Sequence, residues 1–397
     1  MHKLKRSAKN VTVCALAWLT VMGLGPAQAE DIPEVRIPIQ VFADVGAFSR
    51  STGSATTSGS TTATPERNGA FIGSLTLFAS PQIGDHVRGL FELLSEFNAT
   101  GSNVITVERA QIGYAFNDAL TLWGGRFHTP YGFWNTAYHH GAQLQPSIAR
   151  PVQLSGAMPA HTNGLWATGL FPMGSGKLTY DLYGGNSTRV TGGSIDPNHT
   201  SGDNKNKNFG FNLGFNAGGG LEGLRAGVHA MRAKVTECAS INTSGNCAAG
   251  AADPLATPPV LADPIEKSKV NMYGAYAHYD NYNVELIAEY YKFSNTNLVS
   301  TAAPGYKAKS SSGFVQLGYM LDKLIPFVRW EETDYDPRDE YFRNLSNGKN
   351  YSKQIVGVRY ELNVNSVIKA EIAQINSRSA RSLEDSQDVR VQYAIRF

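Results

Sequence analysis

The sequence predicts an all-β fold, a sixteen-stranded antiparallel transmembrane β-barrel, and three observations lead to this prediction. Apolar and polar residues alternate with a period of two in many segments, which is typical of strands with one apolar and one polar face. Short and long connections alternate between these segments, as they do in up-and-down membrane barrels. The chain is also poor in charge, at 17% Asp, Glu, Lys and Arg, against about 25% in an average soluble domain.

The first 29 residues are predicted to be a cleaved signal peptide, which leaves 30–397 for the barrel. Four basic residues precede a short apolar run over 11–24, and Ala27-Gln28-Ala29 supplies the small residues of a cleavage site. The alternative, an N-terminal anchor helix, would need a longer apolar run. The rest of the chain offers no stretch of ~18 consecutive apolar residues, which argues against membrane-spanning helices.

Sixteen alternating segments follow in chain order. The last is the clearest, because Val389, Val391, Tyr393, Ile395 and Phe397 alternate with polar or small residues. The predicted strands are 34–50, 69–80, 86–98, 104–116, 120–127, 164–172, 177–184, 208–217, 222–234, 269–279, 284–293, 308–320, 324–332, 351–362, 367–378 and 389–397.

The connections between these segments carry independent information. Seven are short, namely 81–85, 117–119, 173–176, 218–220, 280–283, 321–323 and 363–366. Eight are longer, namely 51–68, 99–103, 128–163, 185–207, 235–268, 294–307, 333–350 and 379–387. Seven turns and eight links join sixteen strands, with both chain ends on the side of the short turns. A soluble β-sandwich is the alternative, but it uses far fewer strands.

The third long link, 128–163, is a candidate pore constriction because it combines aromatic, imidazole and amide side chains with no Asp or Glu. Arg126 lies at its base, and the candidate residues within it are His128, Tyr131, Trp134, Tyr138, His139, His140, Gln143 and Arg150. Such a lining would favour neutral or anionic solutes, since the groups at the narrowest point set selectivity. The alternative is that the aromatic side chains anchor the loop to the barrel wall.

The alternation also predicts which charged side chains face water. A charge facing lipid at mid-depth costs up to ~2–4 kcal/mol, so residues out of phase with the apolar face should line the lumen. The candidate wall residues are Arg88, Arg109, Arg225, Arg329, Arg359 and Arg390. Carboxylates occur on the same faces, so both a hydrated lumen with local ion pairs and a dedicated binding ladder remain open.

Cofactors and metals are not expected. His139 and His140 are adjacent, and adjacent residues seldom bind one ion; the same link holds no carboxylate or cysteine. Cys238 and Cys247 are predicted to form a disulfide within one loop, because export favours oxidation. The balance of 35 basic against 33 acidic residues argues against a nucleic-acid partner, which requires a basic excess.

Two motifs resemble bacterial outer-membrane porins of the general and phosphate-selective kind. The terminal strand ending in Phe397 resembles the porin terminus, and 125–132, Gly-Arg-Phe-His-Thr-Pro-Tyr-Gly, is similar to an element of those porins. The resemblance implies sixteen strands, a homotrimer, a third loop folded into the lumen, and recognition of Phe397 by the barrel-assembly machinery. It implies passive diffusion of small hydrophilic solutes through the outer membrane of a Gram-negative bacterium, in contact with lipid and lipopolysaccharide. The alternatives are an interaction barrel, as a partner sleeve or adhesin, and a barrel hydrolase.

Overall fold

The structure of the chain is a computed structural model. The structure describes residues 34–52, 67–97, 103–139, 141–154, 156–191, 193–195, 207–238, 265–299, 304–343, 345, 348–378 and 385–397. Val35–Phe397 form one compact unit. Residues 1–29 lie outside the described residues, so the cleaved signal peptide stays a prediction.

Sixteen strands of nine or more residues make up the barrel. They are β1 (Ile39–Thr52), β2 (Arg67–Ala79), β3 (Val87–Phe97), β4 (Asn103–Asn117), β5 (Leu120–His128), β6 (His161–Met173), β7 (Gly176–Asn186), β8 (Lys207–Asn216), β9 (Leu224–Cys238), β10 (Ile265–Asn281), β11 (Val284–Asn297), β12 (Lys307–Tyr319), β13 (Leu324–Asp334), β14 (Tyr351–Asn363), β15 (Ser366–Ser377) and β16 (Ser386–Arg396). Four further strands of two or three residues are Val35–Arg36, Gln82–Ile83, Arg189–Thr191 and Ser194–Ile195.

Each long strand pairs with its neighbours in sequence, and every such pair is antiparallel. The sheet closes where β16 pairs with β1, from Phe42 opposite Arg396 to Thr52 opposite Ser386. Among the described residues, closure pairs both edges of the sheet, which is what a bilayer requires of a spanning sheet. The predicted sixteen-stranded antiparallel barrel is confirmed.

Most predicted strand boundaries are within four residues of the observed ones, and the largest difference is at the first strand. The first alternating segment, 34–50, is split, because Val35–Arg36 pair separately with Gln82–Ile83 and β1 begins only at Ile39. Pro38 lies between the two pieces and has no N–H to donate to a ladder, so strand pairing is interrupted there.

The two faces of the barrel differ as the alternation predicts. In β13, Val328 and Trp330 are exposed on the outside, whereas Arg329 and Glu331 are buried on the inside. The same alternation recurs around the barrel, so its outer surface is apolar, whereas its inner surface carries polar and charged side chains together with some apolar ones. Among the described residues, no helix is long and apolar enough to cross a membrane.

The predicted disulfide is described at one end only. Cys238 ends β9, is buried and is disulfide-bonded. Cys247 lies outside the described residues, so the pairing of Cys238 with Cys247 stays a prediction.

Candidate functional site

The third long loop, residues 129–160 between β5 and β6, packs inside the barrel. It contains a short helix, α1 (Trp134–Ala137), and a single 3-10 turn over Val152–Leu154. Its buried apolar side chains form one cluster with inward-facing side chains of the strands. The loop and strand members of this cluster include Phe133, Trp134, Leu154 and Met158 from the loop, and Tyr183, Met231, Ile287 and Phe314 from β7, β9, β11 and β12. An acid-free, apolar loop can be buried in this way without leaving unpaired carboxylates.

Glu289 of β11 holds the beginning of α1. Its Oε1 accepts hydrogen bonds from the backbone N–H groups of Phe133 at 2.8 Å and Trp134 at 2.5 Å, and its Oε2 accepts one from the hydroxyl of Tyr291. Gly132 precedes them with a φ of +62°, and a Cβ there would collide with the Glu289 and Tyr291 side chains. Glycine therefore allows the loop to approach this carboxylate closely.

A second set of anchors lies on β13 and β15. The two carboxylate oxygens of Glu371 accept from the backbone N–H groups of Ile148 and Ala149, both at 2.9 Å. Arg329 donates to the backbone carbonyl of Ala149 at 2.7 Å, and Lys369 donates to that of Ala142 at 2.5 Å. Because Glu289 and Glu371 hold different parts of the loop, it is fixed at two separate places on the wall.

The seventh long loop adds a third contact. It contains α2 (Glu340–Arg343), and the Tyr341 hydroxyl donates to the backbone carbonyl of Ala157 at 3.0 Å. Asp339 precedes α2 and accepts from Asn295 at 2.9 Å and Ser310 at 3.1 Å. Burial raises the pKa of Asp339 to about 6. The seventh loop thus rests on the third loop and is itself tied to β11 and β12.

Several predicted constriction residues contact the wall. Tyr131 and Trp134 are fully buried, and burial raises the pKa of Tyr131 well above its usual value. Trp134 packs edge-on against Phe314, and half-buried Tyr138 packs edge-on against Trp134. Gln143 donates to the backbone carbonyl of Val364 at 3.2 Å. These four side chains lie where they hold the loop in place, and His140 lies outside the described residues.

Of the other predicted residues, Arg126, His139 and Arg150 line a cavity between the loop and the wall formed by β1–β7 and β16, and His128 is buried at the end of β5. The cavity has a volume of about 680 Å³. Its charged lining residues are Asp44, Glu96 and Glu108 on the acidic side and Arg126, Arg150 and Arg189 on the basic side. Three carboxylates therefore balance three guanidinium groups. All three carboxylates come from barrel strands, and Arg150 is the charged group from the third loop.

Arg150 carries its charge into this cavity. Burial lowers the pKa of its guanidinium, and the carboxylates of Glu96, Glu108, Glu92 and Asp44 oppose that effect. Arginine keeps its proton in proteins, so the group remains cationic. The third loop thus presents a positive charge to strand carboxylates across the cavity.

The predicted wall arginines have partners of several kinds. Carboxylate partners are Glu92 for Arg109 at 2.6 Å, Glu331 for Arg329 at 2.8 Å, Glu285 for Arg359 at 3.3 Å and Asp388 for Arg390 at 3.0 Å. Arg225 lies over the Phe133 ring at 5.8 Å. Arg88 lies in a recess beside the short turn that includes Asp85 and His86. Paired charges of this kind favour a hydrated lumen with local ion pairs over a continuous ladder for one type of ion.

The sequence did not single out a cluster formed by His128, His139, His161 and Glu108. One ligand atom from each of these residues lies within 4.8 Å of the other three. The histidines stand in or beside the candidate loop, but Glu108 comes from β4, where strict alternation places it facing lipid. Its inward position follows from an irregularity in the pairing of β3 and β4 between Glu92 and Leu93. A change of phase in the alternation along β4 is the sequence signal of that irregularity.

These observations define a closed sixteen-stranded barrel whose lumen is partly filled by its third loop. Among solved structures, the anion-selective porin from Comamonas acidovorans is similar, with a TM-score of 0.56, 12% identity, and coverage of 92% of this chain and 100% of that one. A Salmonella typhi OmpF complex with daunomycin gives a TM-score of 0.54 at 12% identity, covering 91% and 97%. The trimer form of in-vitro folded OmpT, an outer membrane protein of Vibrio cholerae, gives 0.51 at 10% identity, covering 91% and 99%.

At these identities the similarity establishes a shared fold. No protein-family model matches the sequence, and no curated protein matches it.

Proposed function

We propose that this protein is an outer-membrane porin of a Gram-negative bacterium that lets small hydrophilic solutes diffuse passively. The observation that carries the proposal is the third loop, which Glu289 and Glu371 hold inside a closed barrel beside a cavity of about 680 Å³. A loop held in this way would narrow the lumen, as a size-limiting constriction requires. The same loop disfavours a sleeve for a protein partner, because a sleeve needs an open lumen.

The proposed selectivity is a weak preference for neutral or anionic solutes. The cavity balances three carboxylates against three guanidinium groups, which supports weak selectivity of either sign. The acid-free third loop supplies one of these guanidinium groups, Arg150, together with imidazole groups and no carboxylate, which supports a slight preference for anions. The similar fold of a porin described as anion-selective agrees with this direction.

Planar-bilayer recording of the purified protein tests the channel function. We expect stepwise conductance increments from channels that are open at low voltage. We also expect a reversal potential in a salt gradient that indicates a weak preference for anions. An absence of steps at any voltage would contradict the channel. Strong cation selectivity would contradict the proposed preference for anions but not the proposed channel function.

The proposed assembly is a homotrimer in contact with outer-membrane lipid and lipopolysaccharide, inserted by the barrel-assembly machinery through the terminal strand ending at Phe397. One protein of similar fold is described in a trimer form. The backbone of Phe397 exchanges two hydrogen bonds with that of Val41, so the terminal residue takes part in barrel closure. Chemical cross-linking of the purified protein distinguishes a trimer from a monomer.

A charge on the outer face tests the membrane position. Val356 lies in the middle of β14 and is 63% exposed on the outside, where we expect lipid. Val356→Arg should reduce the free energy of unfolding by ~2–4 kcal/mol, because a cation is transferred to mid-bilayer depth. The measurement is urea unfolding in lipid vesicles.

Val364→Arg is the matched control for Val356→Arg. Val364 is 76% exposed in the short turn between β14 and β15, and a charge near the interface costs only ~0–1 kcal/mol. Equal losses of stability for the two variants would contradict a membrane at the level of Val356.

A further inference from the structure

We propose that Glu108, His128, His139 and His161 form a binding site for a zinc ion on the wall of the lumen. One ligand atom from each residue lies within 4.8 Å of the other three. Imidazole nitrogens and carboxylate oxygens are zinc ligands, and four of them complete the tetrahedral coordination that zinc adopts. The site is independent of the proposed channel function, since metal binding is measured without transport.

The fold brings the four residues together from distant parts of the chain. His128 ends β5 and lies directly opposite His161, the first residue of β6. His139 follows α1 in the third loop, and its ring centroid lies 4.4 Å from that of His128 and 5.2 Å from that of His161. Glu108 reaches the group from β4, with its Oε2 2.6 Å from His161 Nε2 and 4.0 Å from His139 Nε2.

These distances are close to those of a bound metal. Ligand bonds of 2.0–2.2 Å in a tetrahedron place neighbouring donor atoms about 3.4 Å apart. In the present structure the distances between the donor atoms range from 2.6 Å to at most 4.8 Å. Rotations of the imidazole side chains that move their nitrogen atoms by about an ångström would complete the tetrahedral geometry. Glu108, His128 and His139 are buried, which limits competition from water.

The donor types favour zinc over the hard cations. Calcium and magnesium prefer six or more oxygen ligands, whereas imidazole suits zinc, copper and nickel.

Positive and negative groups both surround the cluster. Arg126 lines the same cavity, while Arg109 is held by Glu92 at 2.6 Å. The Glu92 carboxylate also lies 3.8 Å from His128 Nε2, so acidic groups offset the nearby guanidinium charges.

A bound ion would have an entry path and a structural effect. Glu108, His139 and His161 line the cavity beside the third loop, so zinc can reach the site from the lumen. Coordination by His139 would tie the loop to β4, β5 and β6. Glu289 and Glu371 hold the same loop on β11 and β15. Zinc would therefore add an attachment of the loop to β4–β6, separate from the attachments to β11 and β15.

Metal binding to the full mature protein in detergent tests the site, after dialysis against EDTA. Isothermal titration with zinc chloride should give one equivalent per chain. Cobalt chloride in place of zinc should give the intense visible absorption bands of tetrahedral Co²⁺. His139→Gln and Glu108→Gln should each weaken zinc binding at least about tenfold, since loss of even an outer partner of a ligand costs 10–100-fold.

His86→Gln is the matched control, because it removes an exposed imidazole in a short turn outside the cluster. It should leave the zinc affinity and the cobalt spectrum unchanged. Glu108→Gln keeps the size of the side chain, and circular dichroism of each variant shows whether the barrel is intact. Absence of zinc binding by the intact wild-type barrel, or equal binding by His139→Gln, Glu108→Gln and the wild type, would overturn the proposal.

Discussion

The double variant Glu289→Ala and Glu371→Ala is expected to raise the single-channel conductance at least about twofold and to increase the current noise. It removes both carboxylates that hold the third loop, and the cross-section at the narrowest point of a pore limits the flow of ions. Glu289 accepts hydrogen bonds from two backbone N–H groups of the third loop, and Glu371 accepts hydrogen bonds from two more. Hydrogen bonds to charged groups contribute about 1.5–3 kcal/mol each. Their loss leaves four backbone N–H groups inside the barrel without these acceptors, so the loop should leave the wall. Single-channel recording measures the result.

The control for this variant must lose the same charge without touching the loop. Glu222 is exposed next to the short turn between β8 and β9, and Glu266 pairs with Lys234 at the partly exposed end of β10. The double variant Glu222→Ala and Glu266→Ala should retain the wild-type conductance. If both double variants conduct alike, the carboxylates do not hold the constriction.

Hydrogen exchange gives a second readout of loop release. In the wild type, the amides of Phe133, Trp134, Ile148 and Ala149 are bonded to buried carboxylates and should exchange slowly. Peptides that cover 133–149 should exchange faster in the loop-released variant and at the wild-type rate in the control. A higher conductance without faster hydrogen exchange would assign the effect to the change of charge and not to movement of the loop.

The barrel could be predicted from sequence because each strand carries its own evidence. Two-residue alternation follows from the pleat, which places successive side chains on opposite faces, and it does not depend on which strand lies next door. In an up-and-down barrel the neighbours are also consecutive in sequence, so the pairing follows from chain order. Closure of β16 on β1 needed one further step, the even count of strands between two ends on the same side.

The contacts of the third loop could not be predicted in this way. Its composition indicated burial, but Glu289 and Glu371 lie 156 and 222 residues away from Phe133 and Ala149, and no local pattern connects them. Alternation marks Glu289 only as an inward residue. The carboxylates that hold an acid-free loop come from the wall, where the sequence shows them as ordinary members of the hydrated lumen.

The histidine cluster shows a second limit of the sequence pattern. Leu93 pairs with Val107 while Glu92 pairs with Arg109, so Glu108 is an extra residue in β4. A β-bulge of this kind lets two successive side chains face the same side. Glu108 and Arg109 therefore both reach the lumen, although strict alternation assigns them opposite faces. The carboxylate that the third loop lacks is supplied at this bulge.

Reversing the charge of Arg150 is the second large expected effect. Arg150→Glu should lower the ratio of anion to cation permeability by about threefold or more. It removes the guanidinium that the third loop places in the cavity and adds a carboxylate to the proposed constriction, where lining charges would set selectivity. The new carboxylate would face Glu96, Glu108 and Asp44. Reversal potentials in a potassium chloride gradient measure the ratio.

Ionic strength and a graded series separate a charge effect from a change of shape. Screening shortens from about 10 Å at 0.1 M to about 3 Å at 1 M salt, so the shift should be larger in dilute salt. The permeability ratio of Arg150→Gln should fall between those of the wild type and Arg150→Glu.

Arg338→Glu is the matched control. It makes the same change of charge on the seventh loop, where the side chain is 66% exposed, and should leave the permeability ratio unchanged. A shift in Arg338→Glu equal to that in Arg150→Glu would assign selectivity to the total charge of the chain. Equal ratios in Arg150→Gln and Arg150→Glu at both salt concentrations would instead show that the fit of the guanidinium in the cavity matters and its charge does not.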